Sequence, residues 1–553
     1  MRNTKIIITI GPSCFSEEIL TNLIELGVNC IRINFSHTKA KDIKPLIKKI
    51  RNLSESLKKP VAILGDISGP KLRVDGVPSE GITLKKNTIL QISREKSGDL
   101  PFFTLPQIFD YIDINERIFF DDRKIEGYVL KKRKDIISIK IKNASLLLPR
   151  KGVNLPDSKI GLSVITKKDL KDIKEAISGE VDFLALSFVR NAADVKGLQK
   201  LIHKQGKFIP IISKIERKEA VKNIEEIIDV SDGIMVARGD LGVEIDLEKV
   251  PVVQKDIIER TNLKGKLVIV ATQIMESMVQ NPSPTRAEVS DIAYSIYDGV
   301  DALMLSGETS VGKYPLGAVK WLSKVAESTE LEIKKRYKPN PKVKVENRIF
   351  FSANAIAHSA YYTSLDTKAS AIICITSSGA TSLLISKYHP GVPIIALSNK
   401  IKTIQRVSLF RGVSGFYFDL KKDLKDYNKV MKFIVEKFKF KHQDTIIMTQ
   451  GFPPGISGTT NSIMVFKIGQ TYKRRVRKVS EYYSGDTVIR LDRGKCITCG
   501  VCEECCPVDV FDVELRYIKV NKKNIENCLH DLICVKKCPV NAIEIKKIKK
   551  GKI

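Results

Sequence analysis

The sequence predicts an α/β protein: a (β/α)8 barrel, a β domain inserted into it, a second α/β domain after it, and a small α+β tail. Three observations carry that reading. Eight short apolar, β-branched runs alternate with amphipathic stretches over residues 5–307, the pattern of a parallel barrel wrapped in helices. The alternation breaks off between about Lys71 and Asn154, where short strand-like runs and turn residues take over. Finally, eight of the eleven cysteines fall between Cys496 and Cys538 of a 553-residue chain.

Taken in order, the barrel strands are "KIIITIG" (5–11), "CIRINF" (30–35), "VAILGD" (61–66), "DFLALSF" (182–188), "IPIISKI" (209–215), "GIMVAR" (233–238), "LVIVAT" (267–272) and "ALMLSG" (302–307). They place the barrel at residues 1–70 and 155–340. The insert, 71–154, carries "ITLKKNTILQIS", "RIFFDDRKIEGYVL" and "DIISIKIKNASLLL". Leaving after the C-terminal end of a strand, it reads as a β-barrel lid over the face where such barrels keep their chemistry. The second α/β domain, 345–470, has strands "AIICIT", "PIIALS", "TIIMTQG" and "NSIMVFKI". A polar linker, 471–485, leads to a tail domain at 486–547.

Composition sets limits on function. With 43% hydrophobic and 28% charged residues, the chain has a globular make-up, and no apolar run approaches the roughly 18 residues that span a bilayer. The apolar run at the start stops at Gly11-Pro12, too short for a signal-peptide core, so a cytoplasmic location is expected. The net charge of +30 comes from 93 Lys plus Arg against 63 Asp plus Glu. Those lysines are spread along the whole chain, which argues against nucleic acid as a partner and suits phosphorylated metabolites. The basic run "KRRVRK" (473–478) reads as solvated linker. A dense cysteine cluster without a secretory signal points to metal ligation in a reducing compartment rather than to disulfides.

Barrel enzymes hold catalytic groups at the C-terminal ends of their strands. Those positions carry Arg32, Asn34 and Ser36; Asp66; Ser187 and Arg190; Lys214 and Glu216; Arg238 and Asp240; Thr272; and Ser306 and Glu308. Any one of them alone reads as an ordinary loop charge. Together they combine two carboxylates suited to Mg²⁺ with cations suited to phosphoryl oxygens. Phosphoryl transfer relies mainly on such positioning and charge.

The motifs "CIRINFSH", "KGVNLPD", "ISKIER", "SDGIMVARGDLGVEI", "ATQIMESM" and "NPSPTRAEVSDIAYSIYDGVDALMLSGETSVGKYP" resemble pyruvate kinase, in order, from about Thr4 to about Ile468. The resemblance implies a TIM barrel with lid and C-terminal domain, a homotetramer, and transfer of the phosphoryl group of phosphoenolpyruvate to ADP, giving pyruvate and ATP. It also implies roles. Glu216 and Asp240 would ligate Mg²⁺, Lys214 would stabilise the moving phosphoryl group, and Arg32 would bind it. The amides around Gly239 and Asp240, with the Thr272 hydroxyl, would hold the substrate carboxylate. Thr272 and Ser306 would help deliver a proton to the enolate, and His37, Arg73 and Lys151 would contact the nucleotide.

Two departures from that family stand out. Many members read "TKGPEIR" at the lid entrance, the glutamate accompanying a K⁺ held by residues matching Asn34, Ser36 and Asp66. Here the stretch is "ISGPKLRV" with Lys71 in the glutamate's place. An ammonium presents the same compact charge as a monovalent cation, so K⁺ is expected not to be required. The second is "DDRK" (121–124), without the glycine usual after the aspartates. In the C-terminal domain, "TSSGATS" (376–382) resembles the family's effector-phosphate loop and equally fits a plain strand-to-helix turn.

In the tail, "CITCGVCEECCP" supplies Cys496, Cys499, Cys502 and Cys506 before a proline. This is the C-x2-C-x2-C-x3-C-P run of bacterial two-cluster, 4Fe–4S ferredoxins; zinc sites use separated pairs instead. The second run, Cys528, Asp531, Cys534 and Cys538, keeps that spacing with an aspartate in second place. Because the fourth cysteine of each run serves the other cluster, Cys496, Cys499, Cys502 and Cys538 hold one [4Fe–4S] cluster. Cys506, Cys528 and Cys534 hold the other, either a [4Fe–4S] cluster with Asp531 as carboxylate ligand or a [3Fe–4S] cluster. Cys505 reads as a bystander and His530 as solvent-exposed. Redox coupling or sensing through a partner protein is the expected role of the tail; a purely structural tail, or an electron-transfer or docking protein on an inactive kinase scaffold, is the alternative.

Overall fold

The eight runs expected to form the barrel are all strands, and they close on one another. The computed structural model describes residues 2–336, 351–419, 427–451, 460–468, 479–497, 499–514 and 517–548, divided into two units, Met1–Ile468 and Gly469–Ile553. The barrel strands are Lys5–Thr9, Cys30–Asn34, Ala62–Ile67, Phe183–Leu186, Ile211–Ile215, Gly233–Ala237, Leu267–Ala271 and Ala302–Leu305, referred to below as the first to the eighth. Each pairs in parallel with its neighbours, and the eighth returns to the first. Strands covered on both faces need apolar residues on both. Thus Ile6 and Ile8 pack outward among the helices, whereas Ile7 joins Leu64, Ile212, Met235 and Ile269 in an inner core. Helix starts are written locally: Thr166 and Thr285 each form a capping box, with Asp169 and Glu288.

The chain leaves the barrel after the third strand and forms a seven-stranded sheet between Val74 and Asn154. That sheet has a core of its own, which includes Ile92, Phe103, Phe120 and Ile139. Its two entry segments run side by side, Val74 N–H donating to Lys151 O and Val153 N–H to Leu72 O, both at 3.0 Å.

The following α/β region is a five-stranded sheet ordered Val413–Tyr417, Ile394–Ser398, Ala371–Ile375, Thr445–Gly451 and Thr460–Lys467. The first four are parallel and the last antiparallel. Four of these strands are legible in the sequence; Val413–Tyr417 is not, because Ser414 and Gly415 interrupt its apolar run. The barrel's inner core continues into this domain through Ala357, Tyr361 and Tyr388. Polar ties reinforce the join. Lys387 pairs with Asp301, both fully buried, and donates to Asn262 Oδ1 at 2.9 Å. Arg411 donates to Val300 O at 2.8 Å, and Lys5 Nζ donates to Val413 O at 2.7 Å.

Lys5 is buried, and burial together with Arg2 pulls its ammonium from 10.5 down to about 7. Between these values the unfolded chain carries a proton that the folded chain lacks, so stability rises with pH across that window. Below about 7 both states are protonated and the cost of the buried charge is present in full. Lys5→Met is therefore expected to be more stable than the parent at pH 7. It should also remove a rise of about 1.4 kcal/mol per pH unit from urea-unfolding data collected between pH 7.5 and 9.5. Parallel pH profiles for the two proteins would refute this.

The tail is organised around its own core of Ile489, Leu491, Val510, Phe511 and Ile525. Strands Val479–Ser484, Thr487–Asp492 and Ile543–Lys547 form an antiparallel sheet, and Phe511–Glu514 pairs with Tyr517–Val520. The linker expected at 471–485 is shorter than its polarity suggests. Val479–Ser484 alternates half-buried and exposed residues and pairs along its whole length with Thr487–Asp492. Residues 471–478, including the basic run, lie outside the described residues. No helix among the described residues is long and apolar enough to cross a membrane.

Candidate active site

Asp66, at the end of the third strand, organises the C-terminal rim. Its Oδ2 accepts from Arg32 Nε at 2.7 Å, and its Oδ1 lies 3.4 Å from Lys214 Nζ. Arg32 also donates to Thr9 Oγ1 at 3.0 Å, and Lys214 donates to Ser187 Oγ at 2.8 Å. Burial alone would pull the Lys214 ammonium down, but Asp66 and Glu216 outweigh it and hold Lys214 above its ordinary range. Burial likewise works against ionised Asp66, and the two cations override it and keep its carboxyl below the usual range. Two cations are thus held at one point by one carboxylate, as an anionic phosphoryl group requires.

Glu216 accepts from Lys214 Nζ at 2.8 Å through one oxygen and from Phe188 N–H at 2.7 Å through the other. Burial pushes Glu216 above the ordinary carboxylate range; Lys214 opposes that shift and the charge of Asp240 adds to it. Asp240 stands in the first turn of the short helix Arg238–Glu244 and borders a cleft lined also by Pro70, Lys71, Gly152, Arg190 and Arg217. Among the described residues no hydrogen bond or ion pair engages the Asp240 carboxylate. Two neighbouring carboxylates whose repulsion raises one of them suit a hard divalent cation such as Mg²⁺.

The backbone at this rim is strained where it carries function. Phe188, Thr272 and Gln273 have φ of 56°, 66° and 52°, left-handed values that are costly for residues with a Cβ, most of all for β-branched Thr272. Arg238 braces the 272–273 turn. Its guanidinium donates to Thr272 O at 3.0 Å and Gln273 O at 2.9 Å and is anchored by Asp291 at 2.6 Å. The turn brings Thr272 Oγ1 within 2.7 Å of Gly239 N. A Cβ at Gly239 would come 3.4 Å from that hydroxyl, an ordinary contact. Nearby, Glu308 accepts from Ser306 N–H at 2.7 Å and Met275 N–H at 3.0 Å. The Ser306 hydroxyl is buried with no partner among the described residues.

The other expected site residues fall into two groups. His37 lies close enough to feel Arg73, Arg32 and Lys71, which reinforce burial in lowering its pKa. Arg73 donates to Arg150 O at 2.8 Å, and Lys151 pairs with Asp121 at 2.9 Å. The departure "DDRK" is a turn in which Asp121, Asp122 and Arg123 all have positive φ, a conformation for which glycine is the natural residue. Asn34 Oδ1 accepts from Ser36 N–H at 3.0 Å. Lys71 is exposed, and its Cε lies 3.9 Å from where a Cβ on Gly152 would stand. The structure does not bring its ammonium into hydrogen-bonding contact with Asn34, Ser36 or Asp66.

Sequence reasoning missed Thr9, although the strand-end rule applied to the first strand would have found it. The Phe188 amide and the Arg238–Asp291 brace have no sequence signal, since both depend on backbone conformation.

Two family models match the chain: the barrel domain of pyruvate kinase over residues 1–319 and its α/β domain over residues 354–466. The chain belongs to the pyruvate kinase family. It is similar to the pyruvate kinase of Thermotoga maritima, 41% identical over 472 residues that make up 85% of this chain and 100% of that protein. The pyruvate kinases of Staphylococcus saprophyticus and Staphylococcus aureus are 42% and 41% identical over 478 and 480 residues, 85% of this chain and 81% of theirs. The chain is thus a pyruvate kinase enzyme, a transferase, and the strand-end cluster lies within the matched barrel.

Beyond the pyruvate kinase domains, the tail gathers its thiols into two groups. Cys496, Cys499, Cys502 and Cys538 line one cleft with Ile497, Val540 and Ile543. In the second group, burial together with neighbouring Cys505, Cys506 and Cys528 pushes the Cys534 thiol up to about 12. Each Cys-Pro sulfur accepts an amide four residues on: Val510 N–H to Cys506 Sγ at 3.4 Å and Ala542 N–H to Cys538 Sγ at 3.2 Å. Among the described residues, no three His, Cys, Asp or Glu side chains are arranged to hold a single metal ion. Grouped thiols backed by N–H donors fit a polynuclear cluster, whose sulfur ligands surround a larger body than one ion. His530 is half-buried rather than exposed, with Nε2 2.9 Å from Thr487 Oγ1.

Proposed function

We propose that the rim residues transfer the phosphoryl group of phosphoenolpyruvate to ADP. The observation that carries this is Asp66 fixing Arg32 and Lys214 side by side, next to the Glu216 and Asp240 carboxylates. Arg32 and Lys214 bind the phosphoryl oxygens, and Lys214 follows their charge as the bond to the enol oxygen breaks and that to the ADP oxygen forms. The Gly239 amide and Thr272 hydroxyl hold the substrate carboxylate. Thr272 and Ser306 supply the path by which a proton reaches the enolate carbon. Mg²⁺, held by Glu216 and Asp240, neutralises phosphate charge when bound. His37, Arg73 and Lys151 contact the nucleotide, and the inserted sheet acts as a lid that excludes water. A coupled assay with phosphoenolpyruvate and ADP tests the reading: turnover should vanish with EDTA and return with excess Mg²⁺.

K⁺ is not required in this reading, because Lys71, which lines the cleft, carries a compact positive charge of its own where other members have a glutamate. Rates with K⁺ replaced by tetramethylammonium should match those with K⁺, and Lys71→Glu should acquire K⁺ activation of about tenfold or more. A strict K⁺ requirement in the parent enzyme sinks the idea.

The enzyme is a cytoplasmic homotetramer in this reading, and its tail carries two iron–sulfur clusters that couple it to a redox partner or sense redox state. Cys496, Cys499, Cys502 and Cys538 hold the first; Cys506, Cys528 and Cys534 contribute three ligands to the second. The grouping of the thiols supports this assignment.

A further inference from the structure

We infer that Cys505 is the fourth ligand of the second cluster, completing an all-thiolate site with Cys506, Cys528 and Cys534, and that Asp531 stands outside it. The inference rests on the proposal that the tail holds two iron–sulfur clusters and changes the chemistry of one of them.

The spacing of the second run points to Asp531, but the structure gives that carboxylate a different task. Asp531 is exposed, and its Oδ1 accepts from Ile533 N–H at 3.0 Å. It thereby closes a turn through left-handed Leu532, φ 59°, into the helix Ile533–Lys537. Aspartate is a common choice for such a turn because its short carboxylate reaches an amide two residues on. The odd residue in the motif is accounted for by local backbone geometry, with no metal needed.

Cys505 is placed where the fourth sulfur is wanted. It ends the short helix Val501–Glu504, which packs against the helix Ile533–Lys537 that carries Cys534. Its side chain is half-buried against the tail core, and its Sγ lies 3.8 Å from Cys502 O. The thiols near Cys534 are Cys505, Cys506 and Cys528. Lys537 and Asp531 both lie close to Cys505, so the choice of Cys505 over Asp531 rests on the exposure of the carboxylate and its hydrogen bond to Ile533. Iron in such clusters prefers thiolate to the harder carboxylate. All eight tail cysteines then fall into two complete sets of four. Ligation exchanges each thiol proton for an iron–sulfur bond and transfers no electrons.

The test reconstitutes the full chain anaerobically with iron and sulfide. It then counts bound iron and alkylates the native protein with iodoacetamide before mapping modified cysteines by mass spectrometry. The expected result is about eight irons per chain, as two four-iron clusters require, with Cys505 protected to the same degree as Cys528 and Cys534. Asp531→Ala should keep all the iron. Cys505→Ala should lose about one iron and acquire the EPR signal of an oxidised three-iron cluster. Alkylation of Cys505 in the iron-loaded parent, or loss of iron from Asp531→Ala, overturns the assignment. A parent chain that takes up no iron overturns the cluster proposal itself, which separates that failure from this one.

Discussion

Lys214→Met is expected to lower kcat by about three orders of magnitude, the scale of removing a preorganised charge aimed at the transition state. The loss should appear in kcat more than in KM, because Arg32 still binds the phosphoryl group while the charge that develops during transfer goes unmet. The same change leaves Glu216 buried without the ammonium 2.8 Å away and Asp66 with one cation, Arg32, instead of two. Breaking a buried pair from one side costs about 3–5 kcal/mol, so the rate must be read at a temperature where circular dichroism shows the variant folded. A folded variant that keeps kcat within tenfold of the parent would contradict the role given to Lys214.

Asp301→Ala is expected to cost about 3–5 kcal/mol in urea unfolding, because Lys387 would become a buried ammonium without its partner. Asp301 Oδ2 also accepts from Val268 N–H at 2.7 Å, so a backbone donor is orphaned as well. Replacing both members, as Asp301→Leu with Lys387→Met, should recover much of that loss, since an apolar pair demands no compensation for buried charge. A single variant as stable as the parent would show that the pair contributes little to the join between barrel and C-terminal domain.

The barrel was legible in the sequence because its strands are buried on both faces and read as unbroken apolar runs. The residues at their ends were legible for a related reason: a charged group directly after such a run has nowhere to lie but the rim. Asp66 was named there, yet its function as the shared partner of Arg32 and Lys214 requires knowing that the third strand lies beside the second and is separated by the fourth alone from the fifth, which carries Lys214. Val413–Tyr417 was missed because Gly415 lies against Val407 and Ile404, a close approach that sacrifices the strand's apolar pattern. The strand Val479–Ser484 was missed because one of its faces is open to water. Asp531 was clear from its place in the spacing, whereas its hydrogen bond to Ile533 N–H could be read only from the structure.

The left-handed residues at 188 and 272–273 set a limit on how this enzyme can adapt to heat. Relaxing Phe188 or Gln273 to glycine relieves unfavourable backbone angles, but it also frees the amide that clamps Glu216 or the turn that aims the Thr272 hydroxyl. Thermal tolerance and turnover are therefore tied together at these positions, and a lineage moving to hotter surroundings has to find its extra stability elsewhere in the chain.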